Sequence, residues 1–318
     1  MVDARSSAIA RSRFNDLTRV CMAMVPLLAA ACAPHYVQLA QDSFSKGAAI
    51  ENAAAFPALD RMEATAPATP GGALIYYIDA RDNIRLALRK QKAELDSDGL
   101  TGPAFALQAM ISWRLDALQN STTTESNDPC AGTGYIACAR YSAGQAVAQI
   151  KDPTTLNADS FMMTIMPGLL DHNLARRKTA RAPKEASTGF RNAYDRIDAG
   201  IAKLGTAASP ISGPVTQEQQ LAAYGLLAEY QTLRAWYRAL EWASSGDASI
   251  PADQSISGAQ RRACVFALIQ PRGVKVVNRL NTLDPSEQLV KREIVNGIRI
   301  SLNLGSLAPP GTCPWGTS

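Results

Sequence analysis

The stretch TQEQQLAAYGLLAEYQTLRAWYRALEWA, Thr216 to Ala243, decides the fold. Leu226, Leu233 and Leu240 recur every seven residues, as do Tyr230 and Tyr237, with Trp236 and Trp242 among them. Seven residues are two turns of an α-helix and return to one face, whereas a half-buried strand needs apolar residues at every second position. Thr216 and Gln219 have capping-box spacing, in which the first side chain accepts an orphan N–H and the second reaches back. The expected element is a long bundle helix buried on most of its circumference. The functional alternative is an aromatic interaction surface at Trp236 and Tyr237.

The same periodicity extends outward in both directions. Leu74, Tyr77, Ile84, Leu88 and Leu95 mark one helix, and Leu107, Ile111 and Leu118 a second, opened by Pro103. Phe161 to Arg177 is a third, with a kink or break expected at Pro167. Phe190, Tyr194, Ile197, Ile201 and Leu204 form a further stripe that ends at Gly205. Ser257 with Gln260 and Asp284 with Glu287 have the spacing of two more helix starts. The last of these carries Val290, Ile294, Ile298 and Leu302 and stops at Gly305. No sustained two-residue alternation interrupts this pattern, and no 34-residue tetratricopeptide repeat is visible. The fold expected is all-α, a multi-helix bundle or stacked helical pairs stapled by disulfides.

The start of the chain reads differently. Arg5, Arg11, Arg13 and Arg19 precede an uncharged run, Val20 to Ala31, whose 12 residues are too few for a bilayer core that needs about 20. A positive flank, a short apolar core and small residues at its end make a secretory signal peptide. Leu28-Ala29-Ala30-Ala31-Cys32 resembles the lipobox of bacterial lipoprotein precursors, although Ala29 stands where that family usually has Leu. The resemblance implies cleavage before Cys32, acylation of Cys32 (palmitate being the common chain) and, with Ala33 following, sorting to the outer membrane. Ordinary cleavage after Ala31 with a free product is the rival reading. The expected organisation is then a signal peptide over 1–31, a lipidated N-terminus and tether over 32–72, and a helical domain over 73–318. The Pro-, Ala- and Thr-rich stretch Pro57 to Gly72 supports the tether, which is expected to hold at most a short helix near Ala48 to Ala55.

Cleavage removes Cys21 and acylation consumes Cys32, leaving Cys130, Cys138, Cys264 and Cys313. Four cysteines allow three pairings, of which Cys130 with Cys138 and Cys264 with Cys313 is the simplest. Disulfides persist in the oxidising periplasm. No CxxC spacing occurs, and only His35 and His172 are present, so no metal site is expected. The formal charge of +4 includes four arginines and two acids of the leader, so the remainder is too weakly basic to point to nucleic acid.

No assembled catalytic motif appears. His172 stands beside Asp171, yet no GxSxG, HExxH, P-loop or GxGxxG accompanies it, and a surface or capping histidine is expected. Glu185-Ala186-Ser187 departs from the Glu-Ser start of lytic transglycosylases. Arg176, Arg177, Lys178 and Arg181 form a basic cluster, either an interaction surface or a helix C-terminus whose dipole they offset. These features together lead to an expected noncatalytic envelope lipoprotein without cofactor. It would be anchored to the outer membrane, on its periplasmic or surface side, and would scaffold a membrane-associated assembly through a protein partner. A small-molecule or glycan-binding helical module, or a cell-wall hydrolase with dispersed carboxylates, are the alternatives.

Overall fold

In a computed structural model the capping box at Thr216 is closed in both directions. The Gln219 N–H donates to Thr216 Oγ1 at 3.2 Å, and the Thr216 N–H donates to Gln219 Oε1 at 3.0 Å. The structure describes residues 35–55, 71–119, 128–149, 158–204, 210–246 and 258–285. Among them are nine helices and no strand. In chain order these are α1 His35–Ala55, α2 Gly71–Lys90, α3 Lys92–Ser97, α4 Thr101–Gln119 and α5 Tyr135–Ala148, followed by α6 Ala158–Lys178, α7 Pro183–Ala202, α8 Gln217–Gly246 and α9 Gly258–Leu283. The all-α expectation is met. The chain divides into two compact units at Met166/Pro167, so the helical domain of 73–318 is parcelled between them.

In the first unit α1 packs on α2, α2 on α4, and α4 on α5. Helix α4 is the centre, buried from Thr101 through Asp116 on nearly every side. Where at most a short helix near Ala48 to Ala55 was expected, α1 runs for 21 residues. Val37, Ala40, Phe44 and Ala48 supply its buried stripe, and small residues let the backbone come close to α2. At Gly47 an added Cβ would sit 3.0 Å from the Tyr77 ring. Alanine-rich stripes of this kind bury well but stand out weakly from a tether by composition. Helix α5 was not foreseen either, because its stripe, Ala139, Ala143 and Ala146, is made of alanines.

Several polar groups of this unit pair with one another, although the buried Gln91 Oε1 has no partner. Ser142 donates to Gln108 at 2.8 Å inside the core, Tyr135 donates to Gln119 at 2.8 Å, and Thr101 donates to Asp96 at 2.5 Å. Cys130 and Cys138 form a disulfide that ties the turn before α5 to its first turn. Asp128 accepts the Cys130 N–H at 2.9 Å and pairs with Arg89 at 2.8 Å. The Cys130 N–H, outweighing partial burial and joined by Arg89, holds the Asp128 carboxyl below its usual range.

The second unit holds α7, α8, α9 and α6 from Pro167 onward. The helix continues through Pro167, so the break that was one expectation there does not occur. Beyond it, α6 and α7 approach so closely that glycine is needed at the contacts. A Cβ on Gly168 would lie 2.7 Å from Ile197 Cγ1 and 2.8 Å from the Ala193 carbonyl oxygen; one on Gly189 would lie 2.9 Å from Ala175 Cβ. Helix α7 packs on α8 and α8 on α9. The α8 stripe read from the sequence is the core: Leu226, Leu233 and Trp236 are each 2 % exposed or less.

Candidate functional site

A charged residue sits inside that stripe. Glu229, three residues after Leu226 and four before Leu233, is carried by the helical period onto the buried face of α8 and has no exposed side-chain surface. Helices α7 and α9 bring charges to it. From α7 comes Asp198, whose oxygens accept from Lys275 Nζ at 2.8 Å each and from Arg279 Nη1 at 2.6 Å. Arg279 Nη1 also reaches Glu229 Oε1 at 3.4 Å, so one guanidinium nitrogen joins both carboxyl groups.

The two acids are driven apart in proton affinity. Burial first, then the charge and carboxyl contact of Asp198, push Glu229 up to about 8 against the opposing pull of Arg279 and Lys275. Burial also disfavours ionised Asp198, but hydrogen bonding by Lys275, Arg279 and Glu229 outweighs it and holds that carboxyl below its usual range. At neutral pH the pair is therefore one acid and one carboxylate, the division that acid–base chemistry requires. Glu229 is nevertheless closed off from solvent, so its proton is not presented to a substrate in this conformation.

Beside this cluster the buried Tyr194 Oη has no hydrogen-bond partner. Burial, then the charges of Glu229 and Asp198, raise the Tyr194 phenol well above its ordinary value. Arg272 closes the arrangement, its guanidinium lying 5.2 Å from the Trp236 ring centroid and 6.0 Å from that of Tyr194. On the outer face of α9, Pro271, Val274, Lys275, Asn278, Arg279 and Thr282 border a shallow space of about 480 Å³ that is open to solvent.

His172 corrects the sequence reading. It is buried at 7 % exposure, with Nδ1 3.1 Å from Thr232 Oγ1 and its ring edge-on to Phe190 at 5.2 Å. Burial first and Arg176 second lower it to about 4, so it is a neutral core residue at physiological pH, not a surface or capping one. Trp236 is likewise a correction, being 2 % exposed and packed under Arg272, and so it offers no interaction surface. Tyr237 is half-buried.

Arg176, Arg177 and Lys178 occupy the last turn of α6, and Arg181 is exposed in the turn before α7. Lys178 pairs with Glu185 across that turn at 2.7 Å. The helix-end position of the cluster suits its dipole role. Cys32 and Cys313 lie outside the described residues, and the Cys264 side chain is not described, so the second expected disulfide falls outside them too. Among the described residues no group of three His, Cys, Asp or Glu could hold a metal ion, and no helix is long and apolar enough to cross a membrane. The sequence reading missed Asp198, Glu229, Arg272, Lys275 and Arg279. The available signal was Glu229 itself, a carboxylate on an otherwise apolar stripe. No known protein family, curated protein or solved structure matches the chain.

Proposed function

We propose that this chain is a lipid-anchored envelope protein, noncatalytic, whose helical body serves as a scaffold or accessory subunit for another envelope component. The observation that carries the reading is the Cys130–Cys138 disulfide, a bond that persists in oxidising compartments and agrees with a leader over 1–31 that ends just before Cys32. Acylation at Cys32 would hold the body at a membrane, since two or more chains anchor stably where one is marginal. The chemistry of the body is turned inward: Glu229 and His172 are both buried. Burial of Trp236 counts against a ligand platform at that ring.

The test is purification from detergent-solubilised envelopes through a C-terminal tag, with mass spectrometry of Cys32 and of everything retained. An acylated Cys32 with a stoichiometric partner is the expected result. An unmodified Cys32 would remove the anchor, and a chain recovered alone would sink the scaffold. The Asp198–Glu229 pair is the one observation that favours a second reading, a cell-wall hydrolase. Clearing of peptidoglycan in a zymogram, lost in Glu229→Gln, would establish it in place of the first.

A further inference from the structure

The two sulfurs of the Cys130–Cys138 disulfide stand in unequal surroundings. Cys130 is half-buried in the turn before α5, close in sequence to the exposed Gly132 and Thr133, whereas Cys138 is 6 % exposed in the first turn of the helix. An attacking group therefore reaches the Cys130 side of the bond first. Cys138 is placed to leave, since the first turn of a helix favours negative charge.

Ser142 gives the pair a feature that a plain staple does not need. It is fully buried, and its hydroxyl donates its one proton to Gln108 Oε1 at 2.8 Å. The same oxygen lies 3.7 Å from Cys130 Sγ and 3.8 Å from Cys138 Sγ, so its accepting side is left to the two sulfurs. Disulfide sulfurs carry no hydrogen, and in the oxidised protein neither can donate to it. Reduction creates the S–H donors, and their acceptor is already in place.

Each cysteine is also held without the bond. The Cys130 N–H donates to Asp128, which is paired with Arg89 of α2, and the Ala131 N–H closes the turn on the Asp128 carbonyl at 3.0 Å. Cys138 is fixed by α5, its N–H donating to the Gly134 carbonyl at 3.0 Å. Opening the bond leaves both sulfurs near their places, so it can close again.

We propose that Cys130–Cys138 is a reversible thiol–disulfide exchange site, at which an external thiolate attacks Cys130 and Cys138 departs toward Ser142. The thiolate bonds to Cys130 Sγ as the Cys130–Cys138 bond breaks, and the electron pair passes to Cys138 Sγ. That sulfur takes a proton from water and donates in a hydrogen bond to Ser142 Oγ. A second external thiolate displaces Cys130 from the mixed disulfide, and Cys130 takes up the second proton. Two external thiols are thereby oxidised to a disulfide, and the protein disulfide is reduced to two thiols. Neither the anchor nor the scaffold is required for this chemistry, which goes beyond both.

The experiment incubates the detergent-solubilised full chain with dithiothreitol, with and without urea, quenches with N-ethylmaleimide and maps the labelled cysteines by mass spectrometry. The folded chain is expected to be reduced within about tenfold of the rate of the unfolded one. A bond that opens only on unfolding would overturn the proposal. Oxidised glutathione should label Cys130 in Cys138→Ser at least about tenfold faster than Cys138 in Cys130→Ser. The reverse order would overturn the assignment of Cys130 as the attacked sulfur. Ser142→Ala, equilibrated in glutathione buffers, should shift the pair about threefold toward the disulfide, because the bond to Gln108 is lost from both redox states and cancels. An unchanged equilibrium would overturn the role of Ser142 and with it the built site. In cells, Cys138→Ser should retain an adduct on Cys130, whose mass tells a small thiol from a protein cysteine. Cys130 recovered without any adduct would overturn exchange.

Discussion

The first unit joins polar groups of its core to one another and closes a covalent bond, leaving Gln91 Oε1 without a partner, while the second holds ionisable groups in its core under electrostatic tension. Around α4 and α5, Gln108 meets Ser142 and Cys130 is bonded to Cys138. Around α8, Tyr194 buries an oxygen with no partner, Glu229 is held as an acid against Asp198, and His172 is buried and neutral. A buried unsatisfied group costs about 1–3 kcal/mol. The contrast separates what each unit responds to: redox state for the first, proton activity for the second.

The hardest test of the contrast is one substitution made in both. Gly168→Ala places a Cβ against the Ala193 carbonyl oxygen and Ile197, which requires α6 and α7 to separate; a loss of about 3 kcal/mol is expected in urea unfolding. Gly47→Ala meets only the Tyr77 ring at 3.0 Å, which can shift by tenths of an ångström. With roughly 1 kcal/mol regained from helix propensity, it should be near neutral. Equal costs would erase the distinction between backbone-limited and side-chain-limited contacts.

Replacing Cys130 and Cys138 by Ser opens a loop of sequence separation 8 and should cost the first unit about 2.5 kcal/mol, with reductant giving the same loss in the native chain. Unfolding that ignores reductant would remove redox as the first unit's variable.

The pH prediction is next in size. Glu229 has a folded pKa of about 8, above its ordinary 4.5, so its contribution is complete below 4.5 and is lost as pH rises to 8. His172 has a folded pKa of about 4, below its ordinary 6.5, so its contribution is complete above 6.5 and is lost as pH falls toward 4. Between 4.5 and 6.5 the two slopes oppose. Stability of the second unit should therefore be flat there and fall by about 1.4 kcal/mol per pH unit from 6.5 to 8, or about 2 kcal/mol in all. Glu229→Gln should flatten that upper limb, as read by denaturant midpoints across pH. A limb that survives the substitution would assign the titration elsewhere.

The smallest effect is at the start of α8. Thr216→Ala breaks the reciprocal cap and should cost about 1 kcal/mol, detectable as faster amide exchange in the first turn.

Legibility followed the size of the side chain. Stripes of Leu, Ile, Tyr and Trp announced α2, α4, α7 and α8, and a three-residue spacing announced the Thr216 cap. The helices that escaped, most of α1 and all of α5, are held by alanines whose burial carries the same period but little contrast with a linker. The polar cluster escaped for another reason. Asp198, Glu229 and Arg279 are far apart in sequence, and only the packing of α7, α8 and α9 brings them to one guanidinium. His172 was misplaced because one polar letter between Asp171 and Asn173 looks solvated, although Asn173 is itself buried at 4 % exposure.

The position of Arg272 over Trp236 has an optical consequence. The indole lies among α7, α8 and α9 residues with a cation on its face, and its emission should be blue-shifted while α9 is seated. Lifting α9 would remove the guanidinium and admit water together, moving the emission to the red. The buried ring under Arg272 is thus a built-in gauge of whether α9 stays in place.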